Sequence, residues 1–126
     1  MKIACRISNA EWQVMKVLWQ EFPLAASSIV EQIKPESEWS PKTIQTLIGR
    51  LVKKGILGVN KESSAYRYYP LVSQEGCRRE ETKSFLQKVY DGSFPMLLLN
   101  FVRDENLSAK EIHELKKLLD EAIKRT

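Results

Sequence analysis

The run WSPKTIQTLIGRLVKKG, residues 39–55, carries polar side chains at a spacing that suits molecular recognition. Helical periodicity places these side chains opposite the large apolar residues: Lys42, Thr43, Gln45, Thr46 and Arg50. Lysine and glutamine are long enough to reach the hydrogen-bonding edges of guanine or adenine, and threonine can bond a base or place its methyl group against thymine. The alternative is a solvated helix face with no partner. The pattern favours the recognition surface.

The basic residues of the chain are concentrated around this run. Residues 1–72 hold ten Lys and Arg against six Asp and Glu, whereas residues 73–126 hold ten of each. Residues 40–72 alone hold six basic side chains and one acidic one. A basic patch confined to one segment favours a polyanionic partner. The side chains expected to contact phosphates, which orient a protein without reading sequence, are Ser40, Arg50, Lys53, Lys61 and Arg67.

The recognition run must be positioned by a helix, and both of its ends carry helix signals. Ser40 can act as the N-cap, and Pro41 suits the first helical position because its missing N–H costs nothing there. Gly55 is expected just beyond the C-terminus, after two lysines that complement the helix dipole. The inward stripe follows the i, i+3, i+4 rule and comprises Ile44, Leu47, Ile48, Leu51 and Val52.

Two more helices are predicted before this one. Ser8 and Glu11 are spaced as a capping box. The residues that then recur at core spacing, up to Pro23, are Trp12, Met15, Leu18, Trp19 and Phe22. A second helix is predicted over Ala26 to Ile33 and ends before Pro35.

A basic β-hairpin is predicted after the three helices, which is the order of a winged helix-turn-helix domain. The β-prone runs Ile56 to Val59 and Ala65 to Leu71 flank a polar turn, with Lys61 in the turn and Arg67 on the return strand. Such a domain presents its third helix to the major groove of DNA. Tyrosines in the return strand could also stack on bases, but alternation between core and sugar-phosphate contact is the preferred interpretation.

The rest of the chain is predicted to be helical and to pair with a second copy. The expected fold is mainly α with a small β-hairpin wing, divided into a DNA-binding domain (1–72) and a helical dimerisation domain (73–126). The apolar side chains of the second domain exceed what one or two helices can bury, so a two-fold partner is favoured, with an intramolecular core as the alternative. The residues assigned to dimerisation are Leu86, Val89, Tyr90, Leu97, Leu98, Leu99, Phe101, Val102, Ile112, Leu115 and Leu119.

Catalysis and metal binding find no support in the sequence. The single histidine, His113, lies among Glu and Lys residues, and no HExxH motif or glycine-rich phosphate loop is present. Cys5 and Cys77 are far apart, as expected for unpaired thiols in a reducing compartment. The start lacks the apolar run of a signal peptide, and Met96 to Leu99 is too short to cross a bilayer. We therefore expect a cytoplasmic protein without cofactor, metal or enzymatic activity, and without membrane insertion.

Three stretches together resemble the penicillinase-repressor family: ISNAEWQVMKVLW, WSPKTIQTLIGRLVKKG and LLLNFV. The resemblance runs over nearly the whole chain in the same order and spacing. It implies a dimeric repressor of β-lactamase or penicillin-binding-protein genes that blocks a palindromic operator. It also implies that a membrane sensor-transducer triggers proteolysis, and that the bond cut in this chain is Asn100–Phe101.

Two alternatives to this function stay open. A sister group of the family responds to copper through a cysteine-rich C-terminal tail, whereas this chain ends LLDEAIKRT without cysteine. This ending argues against the copper-responsive branch, and a copper- or stress-responsive repressor of the same fold is kept as the first alternative. The second is a winged helix that contacts only proteins, for which the basic face is incidental.

Overall fold

The computed structural model describes residues 6–62, 64–104 and 107–126. The chain divides into two compact units, Met1–Glu81 and Thr82–Thr126. The functional boundary expected after residue 72 stays a prediction. Cys5 lies outside the described residues, whereas Cys77 is fully buried in the first unit.

The first unit combines three helices with a small sheet, as predicted. Its elements in chain order are α1 (Asn9–Gln20), β1 (Leu24–Ala25), α2 (Ala26–Ile33), a 3-10 turn (Lys34–Glu36), α3 (Pro41–Lys53), β2 (Leu57–Asn60) and β3 (Arg67–Pro70). The helix that follows, α4, covers Gln74–Tyr90. The second helix has the predicted bounds. Its buried residues form one compact apolar stripe, and Pro35 follows shortly after its last residue.

The sheet is antiparallel, in the order β1-β3-β2. The predicted hairpin is confirmed, with Leu57 opposite Pro70 and Asn60 opposite Arg67. β1 adds a third strand that pairs Leu24 with Tyr68. The sequence did not predict β1, because a two-residue strand is too short to show the alternation by which strands are recognised.

The predicted helix caps are confirmed. The Ser8 Oγ accepts a hydrogen bond from the backbone N–H of Glu11 at 3.1 Å, and the Glu11 carboxylate accepts one from the N–H of Ser8 at 2.8 Å. The same reciprocal pair closes the N-terminus of the last helix between Ser108 and Glu111. Each cap satisfies donors that the helix itself leaves unpaired.

The core of the first unit lies between the three helices and the sheet. Its fully buried side chains include Val14, Met15 and Leu18 of α1 and Ile44 and Leu51 of α3. Trp12 and Trp19 pack against this core with their ring centroids 5.2 Å apart. The core assignment of Phe22 is wrong, since its side chain is 58% exposed. Because α1 ends at Gln20, Phe22 no longer follows the helical period that placed it in the stripe.

The second unit contains the end of α4 together with α5 (Phe94–Arg103) and α6 (Ala109–Arg125). Gly92 separates α4 from α5 with a positive φ of 85°, and Ser93 caps α5. Within residues 82–104 and 107–126 no side chain is buried. The alternative of an intramolecular core in this unit is therefore wrong for its described residues.

Among the residues that the structure describes, no helix is both long enough and apolar enough to span a membrane.

Candidate nucleic-acid interface

The recognition helix α3 is fixed at its N-terminus by its own cap. The Ser40 Oγ accepts a hydrogen bond from the backbone N–H of Thr43 at 3.2 Å and lies 3.0 Å from the Thr43 hydroxyl. Pro41 occupies the first turn, as predicted. Trp39, just before the cap, is half-buried and packs against the core of the unit. The first turn of α3, which carries predicted recognition residues, is therefore fixed by its Ser40 cap and by the packing of Trp39 against the core.

The C-terminus of α3 ends in a Schellman motif. Gly55 has a φ of 79°, its N–H donates to the Val52 carbonyl at 3.0 Å, and the Ile56 N–H donates to the Leu51 carbonyl at 3.0 Å. Leu51 and Ile56 are both fully buried and bring the chain back into the core. Gly55 is required here because residues other than glycine rarely adopt a positive φ of this size.

All nine side chains predicted to contact DNA are exposed. Seven lie on α3 or at its N-cap, namely Ser40, Lys42, Thr43, Gln45, Thr46, Arg50 and Lys53. The other two, Lys61 and Arg67, lie on the hairpin. In the part of the chain that the structure describes, Lys42, Gln45 and Arg50 make no ion pair and no side-chain hydrogen bond. Their donors are therefore available to an outside partner.

The two threonines of α3 are partly occupied by their own helix. The Thr46 hydroxyl donates to the Lys42 carbonyl at 3.0 Å, and the Thr43 hydroxyl is engaged with Ser40. Thr46 therefore keeps acceptor lone pairs and a methyl group for an outside partner, whereas its hydroxyl proton is already used. A methyl group suits contact with the C5-methyl group of thymine.

Lys54 has a structural role that the sequence did not reveal. Its ammonium donates to the Glu11 carboxylate at 2.6 Å and to the Arg6 carbonyl at 3.0 Å. Glu11 is 2% exposed, so this ion pair ties the end of α3 to the capping box of α1. The sequence predicts for Lys54 only a charge that complements the helix dipole. No local pattern could indicate its ion pair, because the two residues lie 43 positions apart.

The hairpin wing carries two cations, one of which lies beside an aromatic ring. The Asn60 Oδ1 accepts a hydrogen bond from the Glu62 N–H at 2.9 Å and so closes an Asx turn at the end of β2. The Lys61 ammonium lies 5.5 Å from the centroid of the Tyr66 ring. Arg67 begins the return strand with its side chain exposed. The wing thus offers two positive charges suited to phosphate oxygens.

The residues assigned to dimerisation and cleavage lie in the second unit. Most of the dimerisation set is half-exposed, including Val89 (50%), Phe101 (42%) and Leu119 (44%). Asn100 and Phe101 lie inside α5, and the Asn100 carbonyl accepts a hydrogen bond from the Asp104 N–H at 3.2 Å. The bond between them is therefore part of a helix close to its C-terminal end.

Related proteins were found over nearly the full length of the chain. A sequence profile described as penicillinase repressor matches residues 7–121. The chain is 45% identical over 114 residues to the methicillin resistance regulatory protein MecI of Staphylococcus aureus strain N315, covering 90% of this chain and 93% of that protein. It is 38% identical over 121 residues to the penicillinase repressor of Bacillus licheniformis, covering 96% and 94%.

Two solved structures resemble the first part of the chain. The solution structure of the DNA-binding domain of the repressor BlaI matches with a TM-score of 0.53 and 40% identity, over 59% of this chain and 90% of that one. Monomeric Bacillus licheniformis BlaI, solved in complex with the blaP half-operator, matches with a TM-score of 0.50 and 40% identity, over 56% and 85%.

The fold and its exposed basic helix define the class as a winged-helix protein of the DNA-binding type. Within that class the assignment is specific. The chain belongs to the penicillinase repressor family, which consists of transcriptional repressors and not of enzymes. The resemblance seen in the sequence is confirmed.

Proposed function

We propose that this protein is a dimeric transcriptional repressor that binds a palindromic operator in double-stranded DNA. One observation carries the proposal: the unpartnered donors of Lys42, Gln45 and Arg50 face outward from a helix anchored at both ends. The BlaI structure solved with a half-operator, which is 40% identical to this chain over the matched region, supports operator DNA as the partner. The protein acts in the cytoplasm, where its operator lies.

The nine candidate residues divide the work of binding. Lys42, Gln45 and Thr46 read base edges from the first turns of α3. The hydroxyl of Ser40, with Thr43 beside it, faces the backbone at the helix N-terminus, where peptide N–H groups favour a phosphate. The remaining side chains, which neutralise phosphates without reading sequence, are Arg50, Lys53, Lys61 and Arg67.

The second unit supplies the dimer contact. Its apolar side chains remain half-exposed in a single chain, and a two-fold partner is the simplest surface to cover them. Two DNA-binding units held in one dimer bind two half-sites with a high effective concentration. This is how a modest interface on each half-operator gives tight repression.

The regulated genes are those of β-lactam resistance. The relatives at 45% and 38% identity are named as regulators of methicillin resistance and of penicillinase, which supports this assignment. Induction proceeds by proteolysis of the Asn100–Phe101 bond in response to a membrane sensor-transducer. Cutting there separates α6 from the DNA-binding unit and lowers operator affinity without altering the recognition helix.

The first experiment is a gel shift with footprinting on DNA upstream of the chain's own gene and its neighbours, repeated over a range of salt. We expect protection of a dyad beside a β-lactamase or sensor gene. Neutralisation of roughly six phosphates per monomer gives a log–log salt slope near about −5. Protection of a dyad elsewhere would favour the copper- or stress-responsive repressor. The absence of any salt-sensitive shift would favour a winged helix that contacts only proteins.

Proteolytic relief is tested separately in cells. Asn100→Asp changes the scissile bond at a residue that is not assigned to dimerisation, and it leaves the recognition helix untouched. Repression should persist and induction by β-lactam should be lost, because the protease no longer recognises its site. The matched control is Arg103→Gln, three residues further along α5, likewise exposed and outside the dimerisation set. Normal induction of the Asn100 variant would remove the proposed cleavage site.

A further inference from the structure

The tip of the wing contains an aromatic ring that none of the assigned DNA contacts uses. Tyr66 is 52% exposed, and the Lys61 ammonium lies 5.5 Å from its ring centroid. This distance is within the range of a cation–π interaction. Among the described residues, Lys61 makes no ion pair, so the ring is the partner that the structure gives this ammonium.

The strand register explains why these two residues meet. β2 and β3 pair Val59 with Tyr68 and Asn60 with Arg67. Continued by one step, the same register brings Lys61 opposite Tyr66, and directly opposed side chains on an antiparallel pair interact. The Asx turn from Asn60 to Glu62 holds the backbone at this point. The pair is thus built into the hairpin geometry.

An aromatic partner reduces the conformational entropy that a lysine side chain loses when it binds. A free lysine on a hairpin tip samples many rotamers and must lose that freedom when it grips a phosphate. A ring beneath the ammonium restricts the side chain in advance and leaves N–H donors directed away from the ring. The ring face over which the ammonium lies is not open for stacking on a base.

We propose that Tyr66 is a positioning residue for DNA binding, whose ring holds the Lys61 ammonium at the wing tip ready for a backbone phosphate. This inference rests on the proposed function, because it requires the wing to lie against DNA. The contact reads no sequence, since a phosphate carries none. Tyr66 therefore contributes to affinity for every duplex and acts only through Lys61.

The test measures affinity for a random-sequence duplex over a range of salt, with the full chain and four variants. Tyr66→Leu should weaken binding by about two- to fivefold, the size of an exposed cation–π interaction, whereas Tyr66→Phe, which keeps the ring, should bind like the parent chain. Lys61→Gln should reduce the salt slope by about 1. Adding Tyr66→Leu to Lys61→Gln should cause no further loss.

Two controls keep the result interpretable. Phe22→Leu alters a comparably exposed aromatic residue outside the wing and should leave affinity unchanged. Thermal unfolding of each variant shows whether the wing change has damaged the fold, and the Tyr66→Phe variant guards against that failure.

Each outcome separates this inference from the proposed function. If the parent chain shows no salt-dependent binding to any duplex, the proposed function fails. If the parent binds but Tyr66→Leu binds equally well, or Tyr66→Phe binds as weakly as Tyr66→Leu, the positioning role fails alone. A further loss on adding Tyr66→Leu to Lys61→Gln would mean that the ring contacts DNA directly, which also overturns the proposal.

Discussion

In the proposed function, the exposed residues of α3 and the wing differ in the information they take from DNA. Lys42 and Gln45 carry donors that distinguish base edges, and Thr46 offers a methyl group because its hydroxyl proton is bound to the Lys42 carbonyl. Arg67 lies on the wing and carries a charge that any phosphate satisfies. The same surface is therefore proposed to contain residues that select a sequence and residues that only tighten binding.

This difference predicts opposite patterns for two kinds of alanine substitution. Lys42→Ala and Thr46→Ala should relax sequence preference, each at a cost of about 1–3 kcal/mol on the operator and less on other DNA. Arg67→Ala should weaken binding to all sequences about equally. Competition between operator and random-sequence duplexes measures both effects. Equal loss of specificity in all three variants would contradict the proposed division.

The ion pair between Lys54 and Glu11 predicts a stability effect at the same scale. Lys54→Met removes the charged donor from a buried carboxylate and should lower the free energy of unfolding by about 1–2 kcal/mol, limited by the 39% exposure of the lysine. Lys53→Met, at the adjacent exposed position, should change it by less than about 0.5 kcal/mol. Urea denaturation at neutral pH compares the two. Equal effects would show that the ion pair contributes nothing.

Glu11 also predicts how stability depends on pH. Burial alone would raise the pKa of Glu11, but the hydrogen bond from Lys54, the backbone N–H of Ser8 and the Lys54 charge together hold the pKa below its ordinary value of 4.5. Because the pKa is lowered in the folded state, ionised Glu11 contributes its full stabilisation above pH 4.5. This contribution is lost as the pH falls through the lowered pKa of the folded state. The difference in unfolding free energy between the parent and Glu11→Gln should be constant above 4.5 and shrink below it. A pH-independent difference would contradict this assignment.

At the scale of elements, the recognition helix and the wing each contain a glycine, in opposite environments. Gly49 lies on the exposed face of α3, and no atom lies within 4 Å of where its Cβ would be. Gly58 of β2 lies opposite Tyr69, whose ring occupies the space that a Cβ would need, with its hydroxyl oxygen 2.7 Å from that point. A side chain at Gly49 would meet open space, whereas one at Gly58 would require the Tyr69 ring to move.

Alanine substitutions at the two glycines should therefore change the free energy of unfolding in opposite directions. Gly49→Ala should raise the free energy of unfolding by up to about 1 kcal/mol, because alanine favours the helix. Gly58→Ala should lower it by about 1–3 kcal/mol, because the Tyr69 ring must move out of its packed position. Thermal or urea denaturation of both variants provides the measurement. A stable Gly58 variant would mean that the ring finds another position at no cost.

At the scale of the whole molecule, the two units differ in where their apolar side chains go. The first unit buries a core between three helices and a sheet. The described part of the second unit buries no side chain, although α5 and α6 carry continuous apolar stripes. Such stripes are expected at a contact between copies of the chain.

Dimerisation predicts that one charge on α6 weakens repression from a distance. Leu119→Arg should shift the protein toward monomer and reduce affinity for a full operator by orders of magnitude, with little change on a half-site. The control is His113→Arg, which adds the same charge on α6 at a residue outside the dimerisation set. Analytical ultracentrifugation and gel shifts provide the two measurements. A Leu119 variant that stays dimeric would place the interface elsewhere.

Much of the fold was determined locally by the sequence. Ser40, Pro41 and Gly55 fixed both ends of α3, and the capping box at Ser8 was correct, because each depends on residues at most a few positions apart. The hairpin and the polar face of α3 followed from periodicities of two and of about 3.6 residues. Phe22 failed for the same reason, since its assignment extended a period beyond the last residue of α1.

Contacts between distant segments were decided only by the tertiary structure. The strand β1, the pairing of Lys54 with Glu11 and the bond from the Trp19 indole to the Val72 carbonyl at 3.0 Å each join residues far apart in the chain. Local propensity cannot specify such pairs, because their energy appears only when packing has brought the segments together. The sequence by itself predicted which helix face meets DNA; the tertiary structure decided which of the neighbouring lysines, Lys53 or Lys54, remains free of an internal ion pair.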